Sequence, residues 1–305
     1  MRSLLLSKGE DWTLTHAQWQ ERKPYWSGLG AFAIAFESDV EQTTTCESVA
    51  GYDVVIANLD RDCIDKLLHL QQTRGNCKWV SLIERCATDY LVSDEKIKRL
   101  LDASDLVNVI NSRSLDFFRA LTSARCEYIG IPYPGHQIRE QYFVPIEKRE
   151  KRIMLPPYID PPFIPHNPSY LAAKGFGEMY AMQRSEFNYG DEHYHALPPA
   201  HPIPYLMFEA ASYVFVNLDH RYTWGRTVLD CAALGIPCIT TYSTGHELFP
   251  DFELRDEFKV GGARYLIDLL LRNPNVYRES VERIDMSYFD QFTHEAVKQK
   301  ILEAL

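Results

Sequence analysis

The chain of 305 residues lacks the features of a membrane or nucleic-acid-binding protein. It contains no run of about 18 apolar residues, the approximate minimum for a membrane-spanning helix. The apolar run in its first residues, MRSLLLSKGEDW, is too short to predict a signal peptide or an anchor. With 32 Lys and Arg against 42 Asp and Glu, the net charge is −10, so no overall positive field attracts nucleic acid or anionic lipid. We expect no stable membrane insertion.

The cysteines and histidines show no metal-site spacing. The seven cysteines form no CxxC pair, and they lie at positions 46, 63, 77, 86, 126, 231 and 238. An odd number of cysteines without a signal peptide indicates a reducing compartment, so we expect a cytoplasmic protein. His193 and His195 form an HxH pair, but no third ligand follows at zinc-site spacing, so no metal is expected. The GxSxG motif of serine hydrolases is also absent.

Strand-like and helix-like segments alternate through most of the chain. Residues 52–58 and 78–83 are apolar runs of strand length, whereas 64–72 and 94–103 show the spacing of amphipathic helices. This alternation predicts an α/β fold with a doubly wound parallel sheet. A second block of alternating segments follows, although 189–202 is expected to be a loop.

The length suits two domains of ordinary size. We place the boundary in the charged stretch near residue 150, which gives domains 1–148 and 149–305. The last helix is able to cross back to the first domain.

The most informative stretch is 213–241, YVFVNLDHRYTWGRTVLDCAALGIPCITT. It contains a strand at 213–217, a polar and aromatic loop, and a helix beginning at Arg226. Gly235 and Pro237 end that helix, and a further strand follows. In such units ligands bind at the carboxyl ends of strands, where the free N–H groups of the next helix favour anions. A phosphate-bearing ligand is therefore expected at the start of this helix.

Within this stretch, T-W-G-R-T-V-L-D-C-A-A-L-G-I-P-C-I-T resembles the carboxyl-domain signature of retaining GT-B glycosyltransferases of the family-4-like group. Their pattern is roughly E-G-F-G-L-P-x-x-E-A-x-A-x-G-x-P-V-I. Asp230 falls on the second glutamate and Tyr222 on the first. The resemblance implies two Rossmann-like domains that face a cleft, an N-terminal one for the acceptor and a C-terminal one for the nucleotide-sugar donor. It also implies sugar transfer with retention and without a metal or another cofactor.

The resemblance implies roles for several residues. The family's second glutamate binds the ribose hydroxyls and its first helps to hold the donor sugar, while an arginine and a lysine neutralise the diphosphate. Asp230 keeps the two acceptor oxygens of the longer side chain, with a shorter reach. No Arg-x(4)-Lys motif follows Met154 or Met182, the ends of the first strands of this domain, so the cations are sought among nearby Lys and Arg residues. The predicted donor-binding residues are Gly28, Gly30, Lys174, Arg184, Arg221, Tyr222, Thr223, Trp224, Gly225, Arg226, Thr227 and Asp230.

Other interpretations of these residues remain open. Arg226 either contacts the donor or forms an ordinary i, i+4 salt bridge with Asp230. Gly28 and Gly30 either let the backbone approach a phosphate or sugar, or form a simple tight turn. Trp224 and Tyr222 either stack on a base or sugar or pack between layers. Glu84 is the candidate catalytic residue, as a base or acceptor ligand, with a surface salt bridge as its alternative. In this family the departing phosphate itself is thought to accept the proton.

Several other functions fit the same fold. A nucleotide-sugar epimerase is one, and a phosphorylase is disfavoured because no lysine lies in a recognisable pyridoxal-binding context. Since Tyr222 replaces the first glutamate, a non-catalytic nucleotide- or sugar-binding protein is an alternative. A viral-type transferase acting on modified DNA bases is another, against which the acidic charge argues. The acceptor is left open among a glycan, a lipid, a small molecule and a modified DNA base.

Overall fold

The structure, a computed structural model, describes residues 1–8, 28–83, 95–156, 161–183, 190–197, 207–218, 226–241, 245–254 and 259–305. These residues form two compact units. Unit 1 contains Met1–Pro134 together with Phe289–Leu305, and unit 2 contains the described residues from Gly135 to Tyr288. Among the helices of the described residues, none is both long and apolar enough to span a bilayer.

Unit 1 is built on a parallel sheet of six strands in the order β2-β1-β3-β4-β5-β6. Strands β1, β3 and β4 are nearly continuous apolar runs because helices cover both faces of such a sheet. For example, the indole of Trp79 and the side chain of Val80, neighbours on one strand, are both fully buried. The strands are β1 (Ser3–Ser7), β2 (Asp39–Gln42), β3 (Val54–Asn58), β4 (Lys78–Ile83), β5 (Leu106–Val109) and β6 (Cys126–Glu127).

The helices of unit 1 bury their apolar faces against this sheet. Ile97, Leu100 and Leu101 of the third helix recur at helical spacing and are all buried, whereas the charged residues between them face solvent. The first helix differs, since all eight of its residues are buried. The helices before the chain leaves unit 1 are α1 (Leu29–Phe36), α2 (Ile64–Gln72), α3 (Glu95–Asp102) and α4 (Leu115–Leu121).

Unit 2 contains a second parallel sheet, of five strands in the order β11-β10-β7-β8-β9. Its strands are β7 (Ile153–Met154), β8 (Met179–Met182), β9 (Tyr194–Leu197), β10 (Val214–Asn217) and β11 (Cys238–Thr240). Its helices are α5 (Gly135–Tyr142), α6 (Pro168–Ala173), α7 (Arg226–Leu234), α8 (Lys259–Arg272) and α9 (Pro274–Glu282). A helical turn at 207–210 leads into β10.

The chain ends in unit 1 with helix α10 (His294–Ala304). Thr293 caps the helix, its hydroxyl accepting from the Ala296 N–H at 3.2 Å, and α10 packs against α1. Just before the helix, the Phe292 carbonyl accepts a hydrogen bond from the Tyr133 N–H at 2.7 Å. The Tyr133 ring also stacks on Phe289, with centroids 5.6 Å apart. The C-terminal segment therefore completes the core of unit 1.

Both sheets confirm the predicted α/β fold with two Rossmann-like, doubly wound layers. Predicted segments 64–72 and 78–83 coincide with α2 and β4. The loop expected over 189–202 was wrong at its centre, because Tyr194–Leu197 forms β9 and pairs in parallel with β8. The edge strand β2, a polar segment, carried no strand signal in the sequence.

Candidate functional site at the start of helix α7

The sheet of unit 2 reverses its direction of winding between β7 and β10, since the chain adds β8 and β9 on one side and β11 on the other. Open α/β sheets bind ligands beyond the carboxyl ends of the strands at such a switch point. Leu218 follows β10 at this edge, and its N–H donates to the Ser169 hydroxyl of α6 at 2.8 Å. Helix α7 follows β10 in the chain, so its first turn is the part of unit 2 expected to meet a ligand.

Helix α7 is held firmly from its buried side. Its last seven residues, 228–234, are all buried. Gly235 then ends the helix with φ of +70°, a conformation that favours glycine. The guanidinium of Arg149 donates to the carbonyls of Leu234 at 3.0 Å and Gly235 at 2.5 Å, which satisfies acceptors that a helix C-terminus leaves free. The first turn of α7 is thus carried by a fixed scaffold.

Arg226 and Asp230 form an ion pair on one face of α7. The distance from Arg226 Nε to Asp230 Oδ2 is 3.4 Å, as expected for residues four apart on a helix. The Asp230 side chain is only 4% exposed, whereas that of Arg226 is 41% exposed. The structure therefore shows the predicted salt bridge. Contact of these two residues with a donor stays a prediction.

Glu209, from the helical turn at 207–210, is a buried carboxyl group beside this pair that sequence analysis missed. Its side chain is fully buried, and its Oε1 accepts from the Cys231 thiol at 3.9 Å. Burial, and then the negative charge of Asp230, raise the pKa of Glu209 well above its usual value, and the positive charge of Arg226 opposes the shift. The available signal was an acidic residue inside an otherwise apolar run, YLMFEAASY.

Thr227 is a further predicted residue in the first turn of α7, where it is half-buried. Lys174 lies instead just beyond the end of α6, and its side chain is exposed. Its Nζ lies 5.5 Å from the centre of the Tyr170 ring, and its carbonyl accepts from Arg264 at 2.8 Å. Since Ser169 at the start of α6 meets Leu218, Lys174 is about 7.5 Å farther along the axis of this helix. In the described part of the chain, Lys174 and Arg226 do not contact each other.

Seven of the predicted site residues lie outside the described residues. They are Glu84, Arg184, Arg221, Tyr222, Thr223, Trp224 and Gly225. Their roles in catalysis or donor binding remain predictions.

Gly28 and Gly30 lie in unit 1 at the start of α1. Gly28 is the N-cap residue, with φ of +82° and ψ of −156°, and its carbonyl accepts from the Ala31 N–H at 3.1 Å. A Cβ atom at Gly28 would meet nothing within 4 Å, so the backbone conformation alone explains the glycine. Gly30 is buried in the first turn. The structure thus places both glycines at a helix N-terminus.

The sheet of unit 1 has its own switch point between β1 and β3. Lys8 follows β1 at this edge and pairs with Asp62 and, at 3.7 Å, with Asp60. The hydrogen bond to Asp62 raises the pKa of Lys8. Asp60 also caps the short helical turn Arg61–Cys63 by accepting from the Asp62 N–H at 2.9 Å. Lys8 therefore offsets part of the negative charge of these two aspartates.

Both histidines of the HxH pair contact one carboxylate. His193 Nδ1 lies 2.9 Å from Glu178 Oε1, and His195 Nε2 contacts Glu178 Oε2. The hydrogen bond to Glu178 raises the pKa of His193. In the part of the chain that the structure describes, no group of three His, Cys, Asp or Glu residues is arranged to hold a metal ion.

No known protein-family profile matches the sequence, and no curated protein sequence matches it. Solved structures do match the fold. HepE from Anabaena in complex with UDP has a TM-score of 0.65 at 12% identity over 99% of both chains. An alpha-glucosyltransferase in complex with UDP-glucose and DNA has a TM-score of 0.61 at 10% identity, covering 99% of this chain and 98% of that one.

A third similar structure is sucrose-phosphate synthase from Thermosynechococcus elongatus, with a TM-score of 0.58 at 16% identity. The match covers 83% of this chain and 73% of the synthase. Such low identities establish the fold and leave the activity to be argued from the site. The chain shares the fold of these proteins, with two Rossmann-like units.

Proposed function

We propose that the chain is a glycosyltransferase that moves a sugar from a nucleotide-sugar donor to an acceptor, with retention at the anomeric carbon. The observation that carries this proposal is the fold likeness over nearly the whole of two chains, one holding UDP and the other UDP-glucose. The resemblance of 223–240 to the family-4-like signature supports the finer assignment. UDP is accordingly the first nucleotide to test.

The first turn of α7 suits the chemistry that the transfer needs. An acceptor hydroxyl oxygen bonds to the anomeric carbon as the bond between that carbon and the diphosphate oxygen breaks. The diphosphate leaves with the bonding electrons and takes up the acceptor proton. Groups that stabilise charge developing on this oxygen lower the barrier. The N–H groups at the start of α7 and the guanidinium of Arg226, which is 41% exposed, are such groups.

Asp230 is the proposed ligand of the ribose hydroxyls. A carboxylate that accepts from two neighbouring hydroxyls must be ionised and must be held in position. The contact of Asp230 Oδ2 with Arg226 Nε at 3.4 Å holds the carboxyl group in position and places a guanidinium beside it. The same pair would then contact both ends of the nucleotide, since Arg226 meets the diphosphate.

The remaining assignments follow from the same proposal. Residues 149–305 supply the donor domain, apart from the last helix, which belongs to unit 1. Residues 1–148 supply the acceptor domain, where Glu84 is the candidate base or acceptor ligand. Gly28 and Gly30, at the start of α1, are proposed to approach the donor with their backbone N–H groups. We propose a cytoplasmic protein that needs no metal. The free thiols of Cys46, Cys63, Cys77, Cys126, Cys231 and Cys238 are in keeping with a reducing compartment.

Thermal unfolding with UDP, GDP, ADP and their glucose conjugates tests the donor site. UDP at about 100 times its dissociation constant should add about 2.7 kcal/mol to the free energy of unfolding. Arg226→Met and Asp230→Asn should each weaken UDP binding by about ten- to a hundredfold, a loss of one or two charged hydrogen bonds. The comparison is made on the increase that UDP causes, because removing one partner of a buried pair also lowers stability without ligand.

The matched control is another i, i+4 aspartate–arginine pair of unit 2, Asp268 and Arg272 on α8, whose Oδ1 and Nε atoms lie 2.7 Å apart. Asp268→Asn should leave the UDP-induced increase unchanged. No stabilisation by any nucleoside diphosphate would overturn the donor site. If UDP binds but no UDP-sugar is hydrolysed or consumed with any acceptor, the protein is a nucleotide-binding protein instead of a transferase.

The DNA in one of the similar structures favours a modified DNA base as a second candidate acceptor. The net charge of −10 opposes it, because DNA affinity depends largely on phosphate contacts by lysine and arginine. Duplexes containing hydroxymethylated bases therefore form one arm of the transfer assay, beside glycan and small-molecule acceptors. Transfer to these duplexes, and not to unmodified DNA, would select this acceptor.

A further inference from the structure

Glu209 is a buried acid that the proposed reaction does not use. It precedes β10 in the helical turn at 207–210, and its side chain has no exposure to solvent. Its Oε1 accepts a weak hydrogen bond from the Cys231 thiol at 3.9 Å. Its Oε2 is buried, and none of the described residues hydrogen-bonds to it. A buried carboxyl group with so few partners requires an explanation.

Among the described residues, the charged and titratable groups that act on Glu209 come from α7 and from the start of β11. Helix α7 contributes Arg226, Asp230 and Cys231, and β11 contributes Cys238. Of these four groups, only Arg226 carries a positive charge. If both carboxyl groups were ionised, one guanidinium would face two buried negative charges. Such an arrangement is costly, because burial penalises each charge and the two carboxylates repel each other.

We propose that Glu209 is a positioning residue of the donor site, a neutral acid behind the Arg226–Asp230 pair that keeps Arg226 available to an anionic ligand. The proposal rests on the donor site described above. With Glu209 neutral, the charges of Arg226 and Asp230 balance, and the outer part of the arginine side chain, 41% exposed, reaches solvent. Ionisation of Glu209 adds a second negative charge that competes with a diphosphate for the same guanidinium.

The geometry therefore couples a proton to the nucleotide. The pKa of Glu209 is raised, first by burial and then by the charge of Asp230, and this direction favours the neutral form. As the pH rises and Glu209 loses its proton, the site becomes more negative and UDP binds more weakly. A carboxyl group with only a structural role would leave the pH dependence of UDP binding unchanged.

The first measurement concerns Glu209 alone and needs no nucleotide. The folded protein holds a proton that the unfolded chain releases near the ordinary glutamate pKa, so this group favours folding less as the pH rises above that value. The free energy of unfolding is measured by urea titration from pH 5 to 9 for the parent, Glu209→Gln and Glu209→Leu. The parent should lose stability across this range relative to both variants. Parallel curves would show that Glu209 is not a buried neutral acid and would overturn the proposal.

The second measurement tests the coupling to the donor site. The dissociation constant for UDP is measured between pH 6.5 and 9 for the same proteins and for Asp268→Asn. Over this pH range the dissociation constant should rise about tenfold more in the parent and in Asp268→Asn than in either Glu209 variant. A tenfold difference corresponds to one interaction of about 1.4 kcal/mol. The titration of UDP itself is common to all four proteins and cancels in the comparison.

The two measurements separate the possible failures. If no protein binds UDP or another nucleoside diphosphate, the proposed function fails while the stability curves still report on Glu209. If UDP binds and the parent and variants show the same pH profile, the donor site stands and the positioning role is overturned. Glu209→Leu guards against misfolding of Glu209→Gln, because an apolar side chain of similar size leaves no buried amide without a partner. If neither variant folds, proton uptake by the parent on UDP binding at pH 9, measured calorimetrically in two buffers, decides. No uptake overturns the role.

Discussion

At the level of single residues, Gly235 shows how a backbone conformation and a crowded position act together. Its φ is +70°, and a Cβ atom there would lie 2.6 Å from Arg139 Nη1 and 2.9 Å from Phe143 Cε2. The conformation costs a non-glycine residue about 1–2 kcal/mol, and overpacking about 1–3 kcal/mol more. We therefore expect Gly235→Ala to lower the free energy of unfolding by about 2–5 kcal/mol, as measured by urea denaturation.

Gly175 provides the control, because it separates conformation from crowding. Its φ is +90°, yet a Cβ atom there would meet nothing within 4 Å. Gly175→Ala should therefore cost about 1–2 kcal/mol, the conformational part alone. Equal losses from the two alanine variants would mean that Arg139 and Phe143 move aside easily and that crowding contributes nothing at Gly235.

At the level of secondary-structure elements, Arg149 determines how the C-terminus of α7 is held. Its guanidinium donates to the carbonyls of Val144, Leu234 and Gly235 and to the Tyr277 hydroxyl, at distances of 2.5 to 3.0 Å. A lysine has one nitrogen and cannot reach all of these acceptors. Arg149→Lys should lower the free energy of unfolding by about 2–4 kcal/mol, because buried carbonyls lose their donors.

Arg139→Lys is the matched substitution for this experiment. Arg139 also reaches α7, but the hydrogen bond recorded for it in the described part of the chain is a long one, 3.4 Å from Nη1 to the Ala233 carbonyl. Arg139→Lys should therefore lower the free energy of unfolding by about 1 kcal/mol or less. The two variants are compared by chemical denaturation under one set of conditions. If Arg139→Lys is as damaging as Arg149→Lys, the loss comes from removing any arginine near α7 and not from its unsatisfied carbonyls.

Elements with a strong internal pattern were predictable from the sequence. Helix α2 and strand β4 matched their predicted bounds because the burial of each follows from its own apolar residues. Strand β9 was not predictable in this way, since Tyr194–Leu197 is only partly apolar and becomes a strand through pairing with β8. Its existence depends on a neighbour that the local sequence does not specify.

The candidate site divides in the same way. The pairing of Arg226 with Asp230 was predictable, because both residues belong to one helix and their spacing fixes the distance. The position of Glu209 near this pair was not predictable, because it depends on how the segment before β10 packs against α7. Its contact with Cys231 joins residues from two different elements. A buried acid shows its role only once the groups around it are known.

At the level of the whole molecule, the chain returns to unit 1 after completing unit 2. Phe289–Leu305 supplies helix α10, and the Ala304 carbonyl accepts from Arg125 Nη1 at 2.8 Å. The sequence alone does not specify the unit on which the last helix packs, because the apolar face of a helix does not identify the surface that it covers. Helix α1 is fully buried and therefore requires neighbours on every side, and α10 is one of them.

The dependence of unit 1 on its C-terminal segment is testable with two neighbouring residues of α10. Ile301 is fully buried, whereas Leu302 is 38% exposed. Ile301→Ala should destabilise unit 1 by about 2–5 kcal/mol through lost burial and a cavity. Alanine and leucine both have high helix propensity, so Leu302→Ala should lower the free energy of unfolding by about 1 kcal/mol or less. Amide hydrogen exchange resolved by peptide is the measurement, because it reports each unit separately.

The expected pattern distinguishes local from global effects. In Ile301→Ala, amides of β1 and β3 should exchange faster, because these strands belong to the same compact unit as α10. Amides of β10, whose hydrogen-bonded neighbours are β7 and β11 in unit 2, should keep the protection of the parent. Faster exchange confined to α10 itself would show that the helix frays without supporting the sheet. Equal loss of protection in β3 and β10 would show that the two units unfold together, and the assignment of α10 to unit 1 alone would no longer describe its contribution to stability.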